Sequence, residues 1–283
     1  MEIMKDLNLF KSPEGFWITS SQILSALEKV KAADAKVLYM HTSMTFGAPN
    51  IELGRQDLLA HLYDLIAALG VPTLLIPTYT FSFCNGEDYN VQASRSKMGA
   101  LNEYIRKMPC ALRSIDPLMS SVLIGQDRDL VENLGNNSIG ANSTFDKIHR
   151  CGSDVRFLFF GATASDCYTY THYVEKRLNT PYRYNRDFTG NITDGDRTWE
   201  DTYTLFVRYK DVVPNTDGLL EKTLIARGLM RKVSCGGSSI SCLTEPAGYE
   251  TIVEQIKENG LAYITNDPGD RNTEFFVRNM VAL

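Results

Sequence analysis

The six cysteines (Cys84, Cys110, Cys151, Cys167, Cys235, Cys242) lie far apart, and no two form a Cys-x-x-Cys pair. Zinc ribbons and dithiol redox motifs therefore find no support, and no metal is expected. Long apolar runs are missing too: Phe157–Phe160 with its neighbours is far shorter than the roughly 20 residues that span a bilayer, so no membrane partner is expected. The opening stretch, MEIMKDLNLFKSPEGFW, has no apolar core of the kind a signal peptide needs. The expectation is a cytoplasmic protein with reduced thiols, in which the Asn-x-Ser/Thr sequons at Asn136, Asn142 and Asn191 are chance matches. Positive charge is not in excess, with 29 Lys and Arg against 34 Asp and Glu and a net charge of -5. A mildly acidic chain has no global electrostatic case for nucleic acid. Also absent are Gly-x-Gly-x-x-Gly after a strand, Gly-x-x-x-x-Gly-Lys-Ser/Thr, and the Gly-x-Ser-x-Gly elbow. These absences count against a dehydrogenase, a phosphate-cleaving enzyme and a serine hydrolase.

What remains is ordinary globular material: 283 residues, 43% hydrophobic and 22% charged. A chain of that length buries roughly three quarters of its unfolded surface without a staple. No linker, repeat or low-complexity tract divides it, so residues 1–283 read as one domain. The first 35 residues read as helical, with Ser20 and Ser21 as N-cap candidates and Ile23, Leu24, Leu27 and Val30 at helical spacing. A strand at 36–40, a helix at 55–69 closed by Gly70, and a strand at 71–77 form a crossover unit of an α/β layer. Helical periodicity returns at 98–108, a third apolar strand lies at 155–160, and a short helix at 171–178. Alternation over 190–215 predicts antiparallel strands, and 248–260 a final amphipathic helix. The fold class expected is α/β, a layered domain with a mixed central sheet flanked by helices.

Polar loops follow the strands that end at Met40, Ile76 and Phe160. Ligand sites of layered α/β proteins sit beyond strand ends, so these loops are candidates for one shared site. Two histidines fall there, His41 and His172. His172 and Glu175 are three apart on a predicted helix and share a face. An imidazole beside an acid suits a general base at neutral pH, and it equally suits a plain surface pair.

Five segments in order then resemble the aminoglycoside 3-N-acetyltransferase family, also called the antibiotic N-acetyltransferases. They are Val37-Leu-Tyr-Met-His-Thr-Ser43, Leu74-Leu-Ile-Pro-Thr-Tyr-Thr80, Ser96-Lys-Met-Gly-Ala-Leu-Asn-Glu103 with Arg106, Leu112-Arg-Ser-Ile-Asp-Pro117 with Ser120 and Gly125, and Gly161 through Thr171-His-Tyr-Val-Glu175. The resemblance spans residues 20–260 and implies amine acylation from an acyl-CoA thioester, acetyl-CoA or another, by direct attack. It places the catalytic base on His172 and an orienting acid on Glu175 or Asp211. Donor-contacting positions fall on His41, Thr42, Ser43 and Thr45, and further site-lining positions on Ser96, Arg113 and Ser114. In this chain Asp116 stands where the family usually has His before Pro, which alters the hydrogen bonding of an acceptor-side loop.

The run Lys176 to Arg186 holds Lys176, Arg177, Arg183 and Arg186 and no acid. Aminoglycosides are polycations, so cations here favour an anion: a nucleotide-linked sugar, or the phosphates of CoA. Arg183, Tyr184 and Arg186 are accordingly assigned to the acceptor, with Tyr182 and Trp199 as further stacking candidates. The acceptor expected is a small-molecule amine, an amino sugar that the cations would suit if nucleotide-linked. Alternatives are an aminoglycoside-modifying enzyme proper and a non-enzymatic CoA-binding relative. A carrier-protein thioester is chemically equivalent as donor, and a homo-oligomer is compatible with the sequence. Cys167, five residues before His172, is the rival nucleophile.

Overall fold

A computed structural model describes residues 6–266. The chain opens with a hairpin, β1 (Asn8–Lys11) and β2 (Trp17–Thr19), where periodicity predicted helix. Leu9, Phe10 and Ile18 are buried, and this pairing overrides the helical spacing of the segment. Helix α1 (Ser20–Lys29) begins only at Thr19, which accepts from the Gln22 amide while the Gln22 side chain accepts from the Thr19 amide. This reciprocal capping box fixes the start one residue before the serines.

Next come β3 (Val37–Thr42), β4 (Ala48–Pro49), α2 (Arg55–Ala67) and β5 (Thr73–Pro77). They are followed by β6 (Tyr89–Asn90), α3 (Ala100–Arg106), β7 (Leu112–Arg113), β8 (Ser121–Gly125), α4 (Thr144–Cys151) and β9 (Val155–Phe160). The remainder is α5 (Ala164–Cys167), α6 (Tyr170–Arg177), β10 (Arg183–Asp194), β11 (Arg197–Arg208), α7 (Leu219–Ala226), β12 (Met230–Cys235), β13 (Ser238–Thr244) and α8 (Glu245–Glu258). The central sheet has the order β12-β13-β9-β3-β5-β8-β7. Only the middle is parallel: β3 pairs in parallel with β5 and with β9, and the outer strands run antiparallel. This mixed sheet is the expected one.

Period-two alternation splits β3 between two cores. Val37 and Tyr39 pack with Leu75, Phe157 and Phe159 under α4, α6, α7 and α8. Leu38 and Met40 pack with Ile76, Leu158 and Phe160 under α1, α2 and α3. Both faces are covered, which is why the central strands read as unbroken apolar runs. Because β9, β3 and β5 are parallel, their C-terminal ends, and the three polar loops, share one edge of the sheet.

Beside the main sheet lies a long ribbon, β10 and β11, paired over 12 residues each and extended by β6. It starts earlier than the alternation over 190–215 suggested, at Arg183.

Gly161 ends β9 at φ +67, and a Cβ there would meet the Ser43 carbonyl oxygen at 2.0 Å and the Phe46 ring at 2.9 Å. Only glycine allows this junction of two edge loops. Gly161→Ala is expected to destabilise the protein by about 2 kcal/mol or more, from left-handed strain plus the clash, read as a lowered midpoint in urea unfolding. An unchanged midpoint would refute the close approach.

Candidate active site at the parallel strand edge

Helix α6 follows β9 after the short α5 and presents two opposite faces. Tyr170, Tyr173 and Arg177 point to one side. His172, Glu175 and Lys176 point to the other, toward the start of the ribbon. The Glu175 carboxylate is buried, with its side chain 2% exposed, while the His172 ring stays 31% exposed. Glu175 Oε2 lies 2.7 Å from His172 Nδ1 and Glu175 Oε1 accepts from the Tyr182 hydroxyl at 2.7 Å. Arg183 closes the group. Its Nε lies 2.8 Å from Glu175 Oε2, its Nη2 2.9 Å from His172 Nδ1, and its Nη1 donates to the Phe206 carbonyl at 3.1 Å.

Burial alone would keep Glu175 protonated. The Arg183 charge and the hydrogen bonds from His172 and Tyr182 outweigh it and hold the carboxyl at about 2. The ionised Glu175 at 2.7 Å favours the proton on His172 Nδ1, against the Arg183 Nη2 donor 2.9 Å from the same nitrogen; that tautomer leaves the lone pair on Nε2, where no hydrogen bond from the described residues reaches it. Burial first, and the Arg183 charge second, push the His172 pKa below its ordinary 6.5. The ring is therefore an uncharged imidazole at neutral pH.

The other expected residues divide. Asp211 is exposed, and its backbone carbonyl accepts from Asn266; the acid on the imidazole is Glu175. Arg183, assigned to an acceptor, is instead spent on Glu175. Arg177 turns away, its guanidinium over Tyr173 at 5.7 Å, and Arg186 lies over Phe188 at 5.5 Å. Tyr184 stacks on Tyr209 at 4.7 Å. Tyr182 is buried as a support of Glu175 and leaves no face for a sugar. Asp116 is buried, accepting from the Leu118 and Met119 amides and the Ser138 hydroxyl, so it shapes its own loop.

On the donor side the hydroxyls are likewise committed inward. Thr42 bonds Asn102, and Thr45 donates to the Gly161 carbonyl at 2.6 Å. The Ser43 amide donates to the Phe160 carbonyl at 2.9 Å. Among the described residues, however, nothing accepts the next three amides, of Met44, Thr45 and Phe46. Successive free amides are a means of holding an anionic or polarised oxygen. His41 is buried and stacks on Phe159 at 5.4 Å, and burial drives its pKa down to about 3. Its Nε2 has no partner among the described residues.

Ser96 and Arg113 work behind the edge. The Ser96 amide donates to Glu103, which Arg106 grips at 2.8 Å through each of two nitrogens. Arg113 donates to the carbonyls of Val91, Ser94 and Thr78, and Ser114 accepts from the Ser121 amide. A buried hydroxyl pair also lies at the edge: Tyr39 meets Tyr79 at 2.8 Å.

Cys167 gives its thiol hydrogen to the Thr163 carbonyl, and burial, with Asp166 and Glu221 adding, pushes its pKa far up. That is the opposite of an activated nucleophile. The described residues contain no cluster of His, Cys, Asp and Glu able to hold a metal ion, and no helix long and apolar enough to cross a membrane.

Sequence reasoning missed Arg208. It ends β11 directly opposite Arg183, a position set by ribbon register alone.

A sequence model of a family described as aminoglycoside 3-N-acetyltransferase matches residues 39–256. Among solved structures, aminoglycoside acetyltransferase AAC(3)-IIb is similar at TM-score 0.71 and 17% identity, over 89% of this chain and 98% of that one. AAC-IIIb in binary complex with CoASH is similar at TM-score 0.68 and 18% identity, over 88% and 98%. AAC-VIa bound to sisomicin is similar at 0.70 and 17%, over 84% and 97%. Comparison with curated proteins found no match.

Glu175 supplies stability while ionised. Its folded pKa lies below the free value of 4.5, so the contribution is complete above pH 4.5 and lost as the pH falls through about 2. Glu175→Ala strands Arg183 and is expected to cost about 3–5 kcal/mol in urea unfolding at pH 7. Glu175→Gln is expected to flatten the acid limb of stability against pH. An unaltered limb would mean that Glu175 is not the ionised centre of the cluster.

Proposed function

This chain belongs to the aminoglycoside 3-N-acetyltransferase family, a class of acyltransferase enzymes, and on that footing we propose that it moves an acyl group from a CoA thioester to the amine of an amino sugar, with His172 as general base. The observation that carries this reading is the 2.7 Å contact of His172 Nδ1 with a buried Glu175, with Nε2 left open on a partly exposed ring at the sheet edge.

The chemistry follows from the arrangement. The amine nitrogen forms a bond to the thioester carbonyl carbon, and Nε2 takes a proton from that nitrogen as it becomes positive. Glu175 stabilises the resulting imidazolium through Nδ1–H and fixes the ring orientation. When the carbon–sulfur bond breaks, the imidazolium returns the proton to the thiolate, so the products are an amide and a thiol. The free amides of Met44, Thr45 and Phe46 suit the donor's carbonyl or phosphate oxygens. The inward-turned hydroxyls of Thr42 and Thr45 do not. CoA as donor is supported by the CoASH complex of the similar AAC-IIIb. The sisomicin complex of AAC-VIa supports an amine-bearing sugar as acceptor.

His172→Ala is expected to lower kcat about 10²–10⁴-fold in a CoA-release assay, with CoA affinity from calorimetry nearly unchanged. Near-normal turnover would remove His172 as the base. With saturating acceptor, kcat should be level through neutral pH and decline only below pH 6.5, because the base form is lost as the depressed pKa is passed. Cys167→Ala should retain turnover and remain insensitive to iodoacetamide; a dead variant would bring back the thiol mechanism.

A further inference from the structure

Resting on the acyl-transfer reading above, we propose that the acceptor is an amino sugar bearing a phosphate, and that Arg208 binds that phosphate beside the reacting centre. The argument begins with the ribbon register. Arg183 and Arg208 are directly opposed across the β10–β11 ladder, so their side chains leave the same face. That face lies against His172, Glu175 and Lys176 of α6: Arg183 touches His172 and Glu175, and Lys176 bonds Asn185 and sits 4.9 Å over the Phe206 ring. Asn185 and Phe206 are the next opposed pair on that face of the ladder.

The charges on this face do not balance. Arg183 is neutralised by Glu175 at 2.8 Å. The Arg208 side chain has no hydrogen bond and no ion pair among the described residues, although it is half-buried. Lys176 meets an amide oxygen and a ring, and no carboxylate among the described residues. The nearest acid on the same ribbon face, Asp187, accepts from Thr204 two pairs further along. Two opposed like charges on a ladder are unfavourable, and a half-buried guanidinium without an acceptor more so. Burial and the Arg183 charge accordingly lower the Arg208 pKa.

An arginine and a lysine left over once the Glu175–Arg183 pair is closed complement a dianion. Arginine's planar fork matches phosphate oxygens, and lysine adds a point charge. The phosphates of a CoA donor sit at the far end of the pantetheine arm from its thioester, so a cation beside the base faces the acceptor. A polycationic acceptor would instead be repelled by Arg208 and Lys176.

The test compares glucosamine 6-phosphate, glucosamine and kanamycin with acetyl-CoA, using the full chain and the variants Arg208→Gln and Arg208→Lys. The parent is expected to show kcat/KM for glucosamine 6-phosphate about 10-fold or more above that for glucosamine. Arg208→Gln should erase this preference through KM, and Arg208→Lys should restore part of it. Calorimetry reads binding of glucosamine 6-phosphate independently of turnover. Loss of that binding in Arg208→Gln, with the melting temperature preserved, supports the inference even if no amine is acylated, a result that sinks the acyl-transfer reading alone. Equal binding by parent and Arg208→Gln overturns the inference, as does a parent that prefers kanamycin. Weakened affinity of Arg208→Gln for CoA itself, with the sugar phosphate unaffected, assigns the anion to the donor and overturns it as well.

Discussion

The organisation of this sheet edge depends on keeping one buried carboxylate ionised. Glu175 lies out of water and would take up a proton there unless every lone pair met a donor or a cation. Its partners come from separate parts of the chain. His172 is one turn earlier on α6, Tyr182 lies in the connection after the helix, and Arg183 opens β10. Satisfying Glu175 therefore docks the start of the ribbon onto α6. The docking then orients the imidazole, selects its tautomer, and brings the opposed Arg208 to the same place. Position and charge of the proposed base are two results of a single electrostatic requirement.

The sheet supplies the second constraint. The parallel trio β9, β3 and β5 delivers three loops to one edge, and the loops are tied to each other as well as to their strands. Gly161 lets the loop after β9 run against that after β3, and Thr45 bonds across the contact. The hydroxyl pair of Tyr39 and Tyr79 joins β3 to the loop after β5. Arg113 anchors the long segment after β5 by its carbonyls. The fold thus spends its buried polar groups on making the edge rigid, which is what a base held at hydrogen-bond range requires.

Local patterns were legible in the sequence. Three apolar strands, the crossover helix and the shared face of His172 and Glu175 follow from periods of two and 3.6, and the structure shows each. Where expectation and structure part, the cause is a partner distant in sequence. Leu9 and Phe10 form a strand because β2 and β4 pair with them. Hydroxyls in a loop look available for a ligand until Asn102 and Gly161 claim them. Arg183 reads as one of a basic run, and its commitment to Glu175 appears only when β10 packs on α6. Arg208 carried no signal at all, since register places it and no motif does.

Helix α6 also shows why an imidazole–carboxylate pair alone defines no chemistry. Against its opposite face His149 Nδ1 meets Glu245 at 2.8 Å, a contact within 0.1 Å of that of His172. There the ring is stacked on Tyr249 at 4.2 Å, and the Tyr170 hydroxyl bonds the same carboxylate. That pair joins α4 to α8 among aromatic rings, away from the ends of the parallel strands. The His172 pair differs in what surrounds it. It stands at the strand edge, an arginine braces its carboxylate, and two further cations are left without a carboxylate among the described residues. A clamp between helices needs no surplus charge, and unbalanced cations oppose stability unless something arrives to meet them. The surplus beside His172 is thus the feature by which the proposed site differs from a pair that merely holds two helices together.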